Sequence, residues 1–293
     1  MTGSMEALRS PASNPDNSAA MTAPQRTRRL QAVIFDWAGT TLDFGSLAPV
    51  AAFVEVFASF GVTISTAQAR GPMGISKLDH VRAIAADPEV EAAWLRTHGR
   101  ACTEDDVQAI YRSTVPIQQA ILPRFCDLIP GTLETMVEVR ARGYRIGSTT
   151  GYPRSVGEIA ARRAIEQGYE PDVMVCADDV IAGRPEPWML LRAMEGLRVY
   201  PPHTIVKVGD TRADIEEGLN AGAWTVGVTR TGNYVGLGRD DLAALPTAVT
   251  LKMVAAAGET LRGAGAHYLI GSIGELPPVL DEIEIRLALG ERP

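Results

Sequence analysis

Acidic residues stand at the ends of several short apolar runs in this 293-residue chain. Asp36 lies in AVIFDW (32–37), Asp178 and Asp179 follow DVMVCA (172–177), and Asp210 closes TIVKVGD (204–210) with Asp214 four residues on. Thr150 ends a further run, YRIGSTT (144–150). One acid in such a place is an ordinary turn or N-cap residue. Several on one sheet edge repel one another unless a cation lies among them. Carboxylates, a backbone carbonyl and water are the oxygen ligands Mg²⁺ takes, usually beside phosphoryl groups. A different chemistry is offered by Lys77 in GPMGISKLDH (71–80). Ser76-x-x-Asp79 fits a helix N-terminal capping box, which puts Lys77 at the first helical position. There the positive end of the helix dipole disfavours the ammonium, and only a neutral amine attacks a carbonyl. His80, three residues on, shares that helix face and is placed to shuttle the proton of Lys77. Taken singly, Lys77 reads as a solvated surface lysine and His80 as a partly buried imidazole.

The elements that would position these residues follow from periodicity. Five apolar runs, the four above and WTVGVT (224–229), alternate with helical stretches such as PGTLETMVEVRARG (130–143) and PRSVGEIAARRAIEQG (153–168). Each of these helices ends in Gly, as a C-cap should. Nearly continuous apolar strands between helices imply an α/β fold, a doubly wound parallel sheet covered on both faces. AHYLIGS (266–272) adds a weaker edge strand, and 275–289 a terminal helix. The alternation breaks once. About ninety residues after the first strand carry only helical periods: APVAAFVEVFASFG, SKLDHVRAIAAD, VEAAWLRTHG and TEDDVQAIYRSTVPIQQAIL. They predict an all-helical cap inserted at about 47–124 over the carboxyl edge of the sheet, with a core of 29–46 and 125–293. Ligands of open α/β sheets bind outside that edge.

Bulk properties restrict the function. A net charge of −7 argues against nucleic acid, whose backbone needs a basic face. It leaves a small anionic substrate open. Three cysteines without metal-type spacing suit a reducing cytoplasm. No apolar run approaches the ~18 residues that suggest a membrane span. Residues 1–28, rich in Ser, Pro, Ala, Asn and Thr with a basic QRTRR run, read as a disordered tail without a secretory h-region. The glycines of 232–238 do not open a helix after a strand, so a flexible surface loop is expected rather than a dinucleotide site. Glu216-Glu217 and Asp240-Asp241 read as solvated faces.

Asp36-Trp37-Ala38-Gly39-Thr40-Thr41, Thr150-Gly151, Gly183-Arg184-Pro185 and Gly209-Asp210-Thr211 with Asp214 resemble, in order, the four motifs of the haloacid dehalogenase superfamily. The resemblance implies a Rossmann-like core and a nucleophilic Asp36 that forms an aspartyl-phosphate. It implies Mg²⁺ held by Asp36, the carbonyl of Ala38 and Asp210, with Asp214 close behind. Thr150, with Gly151 beside it, and Arg184 would hold the phosphoryl oxygens.

The chain departs from the commoner pattern of that superfamily at Ala38. Phosphatases and mutases carry there a second Asp that protonates the leaving oxygen, a general acid worth about 10²–10⁴-fold. Its loss suggests that the leaving group is not an alkoxide. An imine of Lys77 is an electron sink, so that cleaving phosphorus from the adjacent carbon expels a neutral enamine and needs no such acid. Asp36–Thr41, PMG-x-x-K-x-DHVRA (72–83), GSTTGY (147–152), AGRPEPWM (182–189) and KVGDT (207–211) together resemble the phosphonoacetaldehyde hydrolases. That similarity implies release of acetaldehyde and phosphate, a homodimer, and a place in 2-aminoethylphosphonate degradation. It also implies that Met73, Gly74, His80 and Tyr152 line the site. Ser46 stands where that family can carry a Cys. The rival expectations are a sugar-phosphate phosphatase or mutase, and a catalytically silent phosphate-binding protein. Ala38 and Lys77 speak against the first, the Asp36, Asp210 and Arg184 set against the second.

Overall fold

The computed structural model describes residues 29–293, so the expected tail at 1–28 lies outside the described residues. Six strands, β1 (Ala32–Phe35), β2 (Arg145–Thr150), β3 (Val173–Cys176), β4 (Ile205–Gly209), β5 (Trp224–Val228) and β6 (Tyr268–Ile270), form one parallel sheet in the order 3-2-1-4-5-6. All five runs and the weaker sixth are strands, as their apolar character predicts. β1 lies at the centre and alternates its side chains between two cores. Val33 and Phe35 join Met136, Val156 and Ile283 on one face, while Ala32 and Ile34 join Met189, Leu190 and Leu197 on the other. With both faces covered, no position of β1 has a polar role, which is why the run reads as continuous.

Five helices occupy the break after β1: α1 (Leu47–Ser59), α2 (Thr66–Arg70), α3 (Lys77–Ala85), α4 (Pro88–His98) and α5 (Glu104–Ile121). They share a core of their own, with Phe53, Phe57, Val81, Ile84, Trp94 and Ile110 buried together. The short α2 was not expected; Ser65 and Gln68 start it with a reciprocal capping box, and Gly71 ends it. Beyond them run α6 (Thr132–Ala141), α7 (Arg154–Glu166), α8 (Trp188–Leu197), α9 (Arg212–Ala221), α10 (Arg239–Ala244), α11 (Thr247–Gly263) and the terminal α12 (Leu276–Ala288). The predicted glycine stops are real: Gly143 and Gly168 follow α6 and α7 at φ of 79° and 97°. No helix among the described residues is long and apolar enough to cross a membrane. The three cysteines are unpaired.

In this strand order the chain reverses direction across the sheet between β1 and β4, and the crevice above that pair is where such folds bind ligands. Phe35 is level with Val208 in the ladder, and the amide of Asp36 donates to the Val208 carbonyl at 2.9 Å. Asp36 is therefore level with Gly209, and Asp210 leaves the neighbouring strand one residue further on.

Candidate active site

A small cavity opens above the β1–β4 pair, walled by Asp36, Ala38, Thr150, Arg184 and Asp210 from the sheet side. Met73, Gly74 and Lys77 close it from the loop between α2 and α3, with Tyr152 and Ser46 completing the wall. Carboxylate oxygens of Asp36, Asp210 and Asp214 all lie within 4.8 Å of one another. Burial, then the neighbouring Asp214, pushes the Asp36 carboxyl up to about 6. Asp210 is driven well above the usual carboxylate range by burial and by Asp36 and Asp214. Its Oδ2 accepts the amide of Asn233 at 2.7 Å, while its Oδ1 is buried without a hydrogen-bond partner. Burial also opposes the charge on Asp214, but Arg184 and Lys207 outweigh it and hold that acid below its ordinary value. Crowded acids with an unsatisfied buried oxygen fit a divalent cation with oxygen preference. Asp214 stands behind the cavity wall. The strand-end pair Asp178 and Asp179 belongs elsewhere: Asp179 accepts the Cys176 amide at 2.7 Å and pairs with Arg154.

Arg184 is buried and engaged by several acids. Its guanidinium lies 2.8 Å from Asp36, 2.8 Å from Asp214 and 3.0 Å from Glu217. It also donates to the carbonyl and the hydroxyl of Thr149, at 2.7 and 2.8 Å. Burial works against the cation, but the acids keep it firmly protonated. Thr150, the last residue of β2, turns its hydroxyl to the amide of Tyr152 at 3.2 Å.

Lys77 opens α3 as predicted, and Ser76 caps it by accepting the Asp79 amide at 3.3 Å. The capping box is only half formed, because Asp79 takes the Ser76 hydroxyl at 2.6 Å and Arg82 at 2.5 Å instead of the Ser76 amide. Lys77 is no surface lysine. It is 5% exposed, and its Nζ sits 5.2 and 5.6 Å from the ring centres of Tyr152 and Phe53. Burial lowers its ammonium to about 8, with Asp36 opposing and Arg184 reinforcing the drop. Removal from water is thus the main cause, where the sequence pointed to the helix dipole.

His80 corrects an expectation: it does not line the cavity. It is fully buried, its ring stacked 3.9 Å from that of Phe53, with Nε2 2.8 Å from the Ala69 carbonyl. A carbonyl only accepts, so Nε2 carries the hydrogen and Nδ1, which has no partner, is bare. Burial, then Lys77, keeps the ring neutral far below its usual range. The hydroxyl of Tyr152 also has no hydrogen-bond partner.

The sequence model of the haloacid dehalogenase-like hydrolases matches residues 30–222. A phosphonoacetaldehyde hydrolase from Syntrophobacter fumaroxidans is 45% identical over 267 residues, spanning 91% of this chain and 96% of its own. One from Paraburkholderia phytofirmans is 44% identical over 266 residues, 91% and 100% of the two chains. The chain belongs to the phosphonoacetaldehyde hydrolase family. Among solved structures, a phosphonoacetaldehyde hydrolase-like protein from Oleispira antarctica superposes with a TM-score of 0.89 at 43% identity, covering 90% of this chain and 96% of that one.

Two further corrections concern residues read as unimportant. Glu217 is not a solvated face but fully buried, 3.0 Å from Arg184 and 3.1 Å from Lys207. Lys207, also fully buried, donates to Thr149 Oγ1 at 2.7 Å and approaches Asp214 to 3.0 Å. A lysine inside an otherwise apolar central strand was the available signal, since a strand buried on both faces admits a charge only if it is paired. Glu216 beside it is the partly exposed one, paired with Arg212. The glycine segment is no loose surface loop either: Thr231, Gly232, Asn233 and Val235 are buried, and Asn233 holds Asp210.

Proposed function

We propose that this enzyme hydrolyses the carbon–phosphorus bond of phosphonoacetaldehyde to acetaldehyde and phosphate, through an imine on Lys77 and an aspartyl-phosphate on Asp36. The observation that carries the reading is a buried, largely desolvated lysine facing the same small cavity as Asp36, with Ala38 where a general acid would stand. At pH 7 about a tenth of an amine titrating near 8 is free, against roughly three in ten thousand at 10.5.

The neutral Nζ of Lys77 adds to the aldehyde carbon, and loss of water leaves the imine. A carboxylate oxygen of Asp36 attacks phosphorus in line with the carbon. The carbon–phosphorus electron pair moves into the imine, giving an enamine on Lys77 and phosphate on Asp36. Protonation of the enamine carbon and hydrolysis of the resulting imine free acetaldehyde and restore Lys77. A second water hydrolyses the acyl phosphate, so that one water is consumed overall. Arg184 steers the Asp36 oxygen and brings positive charge to the phosphoryl group, to whose oxygens Thr150 and the neighbouring Gly151 offer donors. Tyr152 and Phe53 keep water from Lys77, and Met73 and Gly74 shape the wall beside it. His80 enters as a neutral imidazole that, stacked on Phe53, packs the face of α3 that carries Lys77. Asp36, the Ala38 carbonyl and Asp210, with Asp214 behind, would hold Mg²⁺. When bound, the cation supplies the charge that lets two acids and a phosphonate share one site.

On this reading the helical insert at 47–124 is a cap, and the enzyme is a homodimer within 2-aminoethylphosphonate degradation. The test is borohydride added with phosphonoacetaldehyde, which should inactivate the enzyme and place a two-carbon label on Lys77 by mass spectrometry. Normal acetaldehyde release in a coupled assay with no lysine trapped would sink the imine.

A further inference from the structure

The α2–α3 loop that brings Lys77 to the site is fastened at its other end by one side chain. We propose that Arg70, the last residue of α2, is a positioning residue: it clasps this loop to the core and links its placement to the carboxylate of Asp210. Nη1 of Arg70 lies 2.9 Å from the Gly45 carbonyl, 3.3 Å from that of Asn233 and 3.2 Å from Asn233 Oδ1. Nη2 donates to the Gly236 carbonyl at 2.8 Å. Four oxygens from two separate core segments thus converge on one planar fork, an arrangement that an ammonium cannot reproduce. Asn233 joins the two sides, since its backbone amide donates to Asp210 Oδ2 at 2.7 Å.

The fit is built from both directions. Gly236 sits at φ of 66°, and a Cβ there would come within 2.7 Å of the Arg70 guanidinium carbon. Glycine at this point of the 232–238 segment leaves the space in which the guanidinium lies. Downstream of Arg70 the loop rests on the core by close backbone approach. A Cβ on Gly74 would fall 2.2 Å from Thr211 Oγ1, and one on Gly151 would fall 2.8 Å from the Ile75 carbonyl. Such contacts fix a distance but carry little attraction, so the polar hold on the loop falls to Arg70. Six residues separate it from Lys77, and Met73 and Gly74, which line the cavity, are among them. The loop that carries the amine and the acid that faces the cation site are therefore held by opposite sides of the same asparagine.

The consequence for turnover rests on the proposed role of Lys77; the clasp itself does not, and two readouts separate them. Arg70→Lys keeps the charge and loses the fork, while Gly236→Ala disturbs the clasp from the core side. For the full-length protein, hydrogen exchange followed by mass spectrometry should show amides 71–77 and 232–238 exchanging at least about tenfold faster in both variants, with β1 and β4 unchanged. In the same variants KM for phosphonoacetaldehyde should rise about tenfold or more, with kcat falling less. Exchange within twofold of the parent in both segments would overturn the clasp. A rise spread evenly over the sheet would overturn it too, because that is general loosening. Local loosening with unchanged kinetics would overturn the positioning of Lys77.

Discussion

Replacing Lys77 by methionine keeps the length and most of the volume of the side chain and removes its charge. In the folded protein this ammonium titrates near 8 rather than at the usual 10.5, and burial is the leading cause. Each factor of ten in acidity is worth about 1.4 kcal/mol, so keeping the protonated lysine buried costs the native state about 3 kcal/mol at neutral pH. The unfolded chain binds this proton more tightly. The cost is therefore fully present below pH 8, shrinks as pH rises, and is gone above about 10.5. Lys77→Met should accordingly be dead as a catalyst and more stable than the parent at pH 7, by about 3 kcal/mol or roughly 5–10 °C in Tm. Urea unfolding of both proteins at pH 7 and pH 10 reads the difference directly, since other titrating groups are common to the pair. A variant less stable than the parent at pH 7 would refute the reasoning. So would a stability gap of equal size at both pH values, which would put the gain down to packing instead of charge.

Glu217→Gln removes the acid shared by Arg184 and Lys207 and leaves two buried cations short of charge; about 3–5 kcal/mol of unfolding free energy should be lost, as read by urea titration. Gly74→Ala places a methyl 2.2 Å from Thr211 Oγ1 at φ of 100°, so the loop must shift; kcat/KM should fall about 10²-fold in the coupled assay. Asp36→Asn should release no phosphate yet still be trapped on Lys77 by borohydride, because the imine forms before phosphorus is attacked. Without Mg²⁺, Asp36 should lose its charge as pH falls through about 6, and added Mg²⁺ should move that titration to lower pH, as ¹³C NMR of the carboxyl carbon would report.

The parts of the site legible in the sequence were those whose chemistry coincides with a local pattern. Asp36 and Asp210 follow apolar runs directly, so finding the strands found the acids. Ser76 three residues before Asp79 marked where α3 begins and so where Lys77 falls. What local pattern could not show was depth. Lys77, Lys207 and Glu217 look like surface residues by type and His80 like a partly buried one, and only the packing of α3 on Phe53 or of α9 on β4 takes them fully out of water. The 232–238 segment was misread for the same reason. Its glycines signal a turn whichever way the turn faces, and the partners that bury it, Asp210 and Arg70, are distant in the chain.

Adjacent parallel strands keep a fixed spacing of about 4.8 Å, set by their backbone hydrogen bonds. Asp36 steps off β1 level with Gly209 and Asp210 follows one residue further along β4, so the spacing of the carboxylate pair is inherited from the peptide backbone. Mutations scattered through the helical insert cannot retune it. On the proposed mechanism, by contrast, the chemistry performed above the pair hangs on a handful of insert residues around Lys77. An evolving lineage, or an engineer, can therefore exchange the reaction while the phosphorus-handling floor stays in place. The substitutions that change what this scaffold does to a substrate should concentrate between Arg70 and His80.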